Sequence, residues 1–243
     1  MRCFVELRGK GIVMMYETVV AIDGPSGSGK SSIAKDLASD MGFLYVDTGS
    51  MFRALAVVVL ERGLKPTEEF VNKSFLESLN LEYGASSEEL IKVDGKNLTE
   101  LIREHSISAL ASKISGFLAV REFLANFQRN LVRKKICVME GRDIGTVVFP
   151  KAFCKIYLTA SDQIRAERRL KQLKEKGQEL YKFEDILRDV RERDENDSKR
   201  AIAPLRQAED AKKLDTTDLD YQEVLDQLKA IVLKSAKEKD VEL

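Results

Sequence analysis

The chain has 243 residues with 40 basic and 40 acidic side chains, hence no formal net charge, and it contains one histidine, three cysteines and no tryptophan. This is the composition of a globular protein with one large domain or a domain carrying an insertion. It leaves no material for a histidine-rich metal site, and the neutral balance argues against nucleic acid held on a bulk basic surface. The longest purely apolar run, residues 54–60, falls far short of the ~20 residues a bilayer-spanning helix needs, so no membrane partner is expected. Cys3, Cys137 and Cys154 show no C-x-x-C spacing, and their odd count fits a reducing cytoplasm.

In chain order, the first ten residues lack a signal-peptide core, because Glu6, Arg8 and Lys10 interrupt the apolar residues. Residues 1–17 are expected to be an N-terminal extension. Met14 and Met15 stand just before the first strand, which suggests a start there and a disordered segment over 1–13. Residues 18–23 are a β-branched apolar run ended by glycine, as in a buried parallel strand. A Gly-rich turn and a helix over about 30–41 follow, then a strand at 43–47 and a helix over about 50–62. This order predicts an α/β fold with a parallel sheet.

The middle reads differently. Pro66 with Thr67, Glu68 and Glu69 predicts a helix running to about residue 79. Short alternating segments at 81–83 and 90–93, with Asp94-Gly95 after the second, predict a hairpin. Amphipathic helices are expected over about 98–133. The body resumes with strands at 135–140, 153–158 and 212–216 and a last helix over about 221–237. Residues 161–200 are dense in charge of both signs. The predicted organisation is a core at 18–63, 134–160 and 201–238, a small α+β insertion at 64–133, and a helical pair at 161–200.

Gly24-Pro25-Ser26-Gly27-Ser28-Gly29-Lys30-Ser31 matches G-x-x-x-x-G-K-[ST] at every defined position, after a strand and before a helix. Its backbone amides can converge on phosphate oxygens, and the helix N-terminus adds partial positive charge. Lys30 is placed to reach the β- and γ-phosphates, and Ser31, with Ser32 beside it, to offer a hydroxyl to Mg²⁺. ATP with Mg²⁺ is therefore expected. No N-K-x-D motif follows, which argues against a GTPase.

Two further segments begin at strand C-terminal ends, the edge where open α/β sheets bind ligands. They are Asp47-Thr48-Gly49-Ser50-Met51-Phe52-Arg53 and Glu140-Gly141-Arg142-Asp143-Ile144-Gly145-Thr146. Arginine suits phosphate because its planar fork donates two parallel hydrogen bonds. Arg53 and Arg142 together with the loop point to an acceptor that is itself phosphorylated. Asp47 has two readings, a helix cap or a carboxylate holding Mg²⁺ through water. Arg165, Arg168 and Arg169 share one helical face. The spacing alone leaves two readings open, a solvated helical pair or a lid that neutralises the transferring phosphoryl group.

With these segments and Arg193-Asp194-Glu195-Asn196-Asp197-Ser198-Lys199-Arg200-Ala201-Ile202-Ala203-Pro204-Leu205 in view, residues 17–235 resemble the bacterial cytidylate kinases. G-R-D-I-G-T-V-V-F-P and R-A-I-A-P-L carry the resemblance far more specifically than the phosphate loop does. It implies a P-loop NTPase-type five-stranded parallel sheet flanked by helices, a monophosphate-binding insertion and a helical lid. It also implies ATP-dependent phosphorylation of CMP or dCMP by direct in-line transfer in a cytoplasmic monomer. Carried over by position, Arg53, Arg142 and Arg200 hold the CMP phosphate, with Thr48 beside them. Ser112, Arg121 and Asp143 read the cytosine, while Arg193 and Asp197 lie near the pentose. Lys30, Arg142, Arg165 and Arg169 act on the transferring group. The chain departs from the commonest family pattern at Phe52, where tyrosine is usual, at Ser31-Ser32, and at Glu140, where aspartate is common. The rival readings are a kinase for adenylate or uridylate and a nucleotide-binding module without turnover.

Overall fold

A computed structural model describes residues 17–84, 86, 88–132, 135–175, 177 and 181–243. Of the extension expected over 1–17, residues 1–16, with Cys3, Met14 and Met15, lie outside the described residues, whereas Glu17 already belongs to the first strand. Two compact units are present, one made of residues up to Val46 with Val132–Leu243, the other of Asp47–Leu131.

The first unit is built on a five-stranded sheet. Its strands are β1 (Glu17–Asp23), β2 (Leu44–Asp47, whose last residue opens the second unit), β6 (Cys137–Gly141), β7 (Ala152–Thr159) and β8 (Lys212–Asp215), in the order β2-β6-β1-β7-β8. β1 runs parallel to both β6 and β7, and β7 runs parallel to β8. Val19, Val20, Ala21 and Ile22 are fully buried, which explains why β1 reads as a continuous apolar run rather than an alternating one. Helix α1 (Lys30–Met41) lays Ile33, Ala34 and Leu37 on the sheet, and α8 (Tyr221–Glu238) lays Val224, Leu225, Leu228 and Val232 into the same core around Phe153. An N-terminal capping box of Asp220 and Glu223 starts α8. Cys137 and Cys154 fill this sheet as small buried hydrophobes, and burial pushes their thiols up to about 12 and about 11.

Two helices, α6 (Asp162–Glu175) and α7 (Phe183–Lys199), form a hairpin in this unit with an apolar core of its own, Ala166, Leu173, Ile186 and Val190.

The second unit contains α2 (Thr48–Glu61), α3 (Lys73–Glu77), an antiparallel sheet of β3 (Leu81–Tyr83), β4 (Ile91–Val93) and β5 (Lys96–Asn97), and helices α4 (His105–Ile114) and α5 (Leu118–Leu131). Asp94 and Gly95 both take positive φ, 52° and 77°, as the two-residue turn between β4 and β5 requires. Two expectations change. The helix expected from residue 67 begins only at Lys73, because the Asn72 side chain accepts the Phe75 amide and caps a short α3 there, while residues 67–71 form turns. Helix α2, grouped by sequence with the core, packs with α4 and β4 instead and belongs to the second unit.

Candidate active site

The phosphate loop leaves β1 at Gly24. A Cβ there would lie 2.0 Å from the Leu158 carbonyl oxygen of β7, so the loop passes too close to the strand for any side chain. Gly29, at φ 84°, sits at the N-cap of α1 and supplies no capping side chain. The first-turn amides of α1 are thus left for an anion. Lys30 is 5% exposed. Its Nζ donates to the Pro25 carbonyl at 2.6 Å and to Ser28 Oγ at 3.2 Å. Burial holds this ammonium well below the usual lysine pKa, the nearby Arg142 lowers it further, and Glu140 opposes both. The ammonium therefore sits where negative charge is in short supply. Ser31 and Ser32 are exposed on the first turn of α1.

The turn after β6 carries Arg142 and Asp143, followed by a π-helical segment, Ile144–Val148. Asp197 from α7 is buried between two arginines: it accepts from Arg142 Nε at 2.9 Å and pairs with Arg200 Nη2 at 3.3 Å. Burial alone would raise its pKa, but Arg142, Arg200 and Arg193 outweigh that and hold it below the usual range. Asp197 thus fixes two of the expected phosphate ligands.

Asp23, at the end of β1, is a site residue that sequence reasoning missed. Its buried carboxylate accepts the amides of Ile144 at 2.8 Å and Gly145 at 2.7 Å. It so anchors the turn that presents Arg142 and Asp143. These partners lie more than a hundred positions away in sequence, and the only local signal was an acid closing an apolar strand.

The three arginines of α6 do not act as one face. Arg165 donates to the carbonyls of Ala160 and Ser26 and pairs with Asp194. Arg168 donates to the Thr216 hydroxyl and carbonyl, and Arg169 to Gln172 on its own helix.

In the second unit, Asp47 is the N-cap of α2. One carboxylate oxygen accepts the Ser50 amide at 3.0 Å and the other pairs with Arg53 at 2.8 Å. Its backbone amide donates to the Tyr83 hydroxyl. The helix cap thus occupies one carboxylate oxygen and the ion pair with Arg53 the other. Thr48 is buried in the first turn of α2. Arg121 of α5 is 8% exposed, with its guanidinium 5.6 Å from the centroid of the Phe52 ring. Ser112 lies half-buried on α4, where its carbonyl accepts the Ser115 hydroxyl.

The exposed Ser31 hydroxyl is an oxygen donor of the kind a hard cation takes. Ser31 offers a single hydroxyl, and among the described residues no group of three or more His, Cys, Asp or Glu side chains could hold a metal by itself.

The family described as cytidylate kinase matches residues 20–234. Proteins named cytidylate kinase are similar along most of the chain. One from Clostridium botulinum is 41% identical over 90% of this chain and 100% of its own length. One from Carboxydothermus hydrogenoformans is 44% identical over 88% of this chain and 96% of its own. One from Caldicellulosiruptor saccharolyticus is 42% identical over 90% of this chain and 97% of its own.

Proposed function

We infer the roles of individual residues from one premise: the chain belongs to the cytidylate kinase family. It transfers the γ-phosphoryl group of ATP to CMP or dCMP, giving ADP and CDP or dCDP. The loop from Gly24 to Ser32 holds the ATP phosphates on backbone amides, and Lys30 exchanges its bonds to Pro25 and Ser28 for the β- and γ-oxygens. Arg142 and Arg200 take the CMP phosphate, already oriented by Asp197, and Arg53 is a further phosphate ligand. Thr48, Ser112, Arg121 and Asp143 bind and read the nucleoside, with carboxylate or hydroxyl accepting from the exocyclic amine of cytosine and arginine donating to its ring acceptors. Arg193 and Asp197 serve the pentose side.

Transfer is direct and in-line. The acceptor oxygen is already ionised, so no general base is needed, and catalysis consists of positioning and charge neutralisation by Lys30, Arg142, Arg165 and Arg169. Ser31 would hold Mg²⁺, which when bound offsets negative charge on the β- and γ-phosphates. The supporting observation is the buried Lys30, destabilised as a cation by its surroundings and by Arg142, which a polyphosphate would restore.

A coupled assay with ATP and a panel of monophosphates tests this reading. CMP and dCMP should be phosphorylated with kcat/KM at least ~100-fold above UMP and AMP, because a site built to accept from an amine leaves polar groups unpaired against a carbonyl. Preference for AMP or UMP would place the chain with another specificity. No consumption of ATP with any of the monophosphates would leave a nucleotide-binding module without turnover.

A further inference from the structure

We propose that Asp194 is a positioning residue for the ATP loop: together with Arg165 it clamps Ser26 by both its backbone N–H and its backbone C=O. Asp194 Oδ1 accepts the Ser26 amide at 3.1 Å, while Arg165 Nη1 donates to the Ser26 carbonyl at 2.8 Å. The same Nη1 bonds Asp194 Oδ2, which closes the ring. Arg165 is itself held by Nε, which donates to the Ala160 carbonyl at 2.9 Å.

The peptide plane whose N–H Asp194 holds is also the one whose carbonyl, that of Pro25, receives the Lys30 ammonium. Asp194 and Lys30 thus grip opposite ends of a single peptide group. The other side of Ser26 is the plane entering Gly27, where a Cβ would stand 3.0 Å from the Arg165 carbonyl. The loop thus rests directly on the first turn of α6. Fixing both planes sets the direction in which the amides after Ser26 point, and those amides are the phosphate donors.

A purely architectural role for Asp194 would be to fasten α7 to α6. That contact already has its own apolar core in Ala166, Leu173, Ile186 and Val190. One Asp194 oxygen is spent on a loop amide 168 residues away rather than on a helix partner.

The inference rests on residues 24–32 being the ATP site, so the test begins with wild-type ADP binding by calorimetry and CMP-dependent turnover. Absence of both would end that reading, independently of Asp194. In Asp194→Ala, ADP affinity should weaken and the KM for ATP rise about tenfold or more, since small misplacements of binding groups are costly. The KM for CMP should move less than about twofold under the same principle. Asp194→Asn keeps an acceptor for the Ser26 amide but turns an NH₂ donor toward Arg165 Nη1, and should recover only part of the ADP affinity. Unchanged ADP affinity in Asp194→Ala overturns the proposal. So does an equal rise in both KM values with a lowered Tm.

Discussion

A buried carboxylate that accepts two backbone amides and still titrates high must be worth its cost, and Asp23 is such a group. Burial is the largest influence on it and raises its pKa from 3.8 to about 6; the Gly145 and Ile144 amides pull the other way, Asp143 adds to the rise and Lys30 opposes it. Ionised Asp23 therefore destabilises the fold relative to the unfolded chain, by about 3 kcal/mol at neutral pH, from the difference between the two pKa values. The sign follows from linkage. Between about pH 4 and pH 6 the native state binds a proton that the unfolded chain has lost, so this group's contribution to stability falls as pH rises and is flat above its native pKa. Denaturant unfolding of wild type and Asp23→Asn across pH 4–7 measures it: the wild type should lose about 2.4 kcal/mol relative to the variant over that range. A pH-independent difference would mean that Asp23 is not ionised in this way. The retained charge is explained by what it holds, the two amides that set the turn bearing Arg142 and Asp143.

At the level of elements, β1 and β7 set the loop's path by how closely the chain passes at Gly24. Gly24→Ala would drive a methyl group to 2.0 Å from the Leu158 carbonyl, where backbone rather than a flexible side chain must give way. The expected outcome is a loss of about 3 kcal/mol, at the upper end of overpacking penalties, together with weakened ADP binding. Thermal unfolding and calorimetry check it, and a variant of unchanged Tm would contradict the close approach. This contact also marks the boundary of what sequence discloses. The strand, loop and helix from 18 to 41 were readable because each carries a local signature: an apolar run, glycines at fixed offsets, an apolar stripe. The Asp94-Gly95 hairpin was readable for the same reason. Residues 67–79 misled because acidic residues after a proline look like a helix start, whereas the Asn72 cap decides where α3 begins. Asp47 could not be decided from sequence, since cap and metal-water ligand need the same residue. The roles of Asp23, Asp194, Arg165 and Arg168 depend on partners far along the chain, and no local pattern encodes those.

Across the whole chain the 40 acids cancel the 40 bases, yet the charges are far from evenly mixed. Lys30 feels two arginines, Arg142 and Arg193, and burial, with Glu140 and Asp23 only partly compensating. A cation so placed loses its proton more readily in the free protein than lysine ordinarily does, and a bound triphosphate would reverse that by adding nearby negative charge. The two kinetic parameters then report different states, since kcat/KM follows the free enzyme and kcat the bound complex. We predict that kcat/KM for ATP falls on the alkaline side at a pH well below that of ordinary lysine titration. At saturating ATP and CMP, kcat should show no such limb. Lys30→Arg, whose guanidinium keeps its proton, should retain only residual activity but lose the alkaline limb. No step needs an imidazole, so His105→Ala should leave both profiles within about twofold of wild type, and a ~100-fold loss would refute a mechanism built on fixed charge. An alkaline limb of equal position in kcat would show that the triphosphate does not restore Lys30, and the ammonium would then not be the group that meets the phosphates.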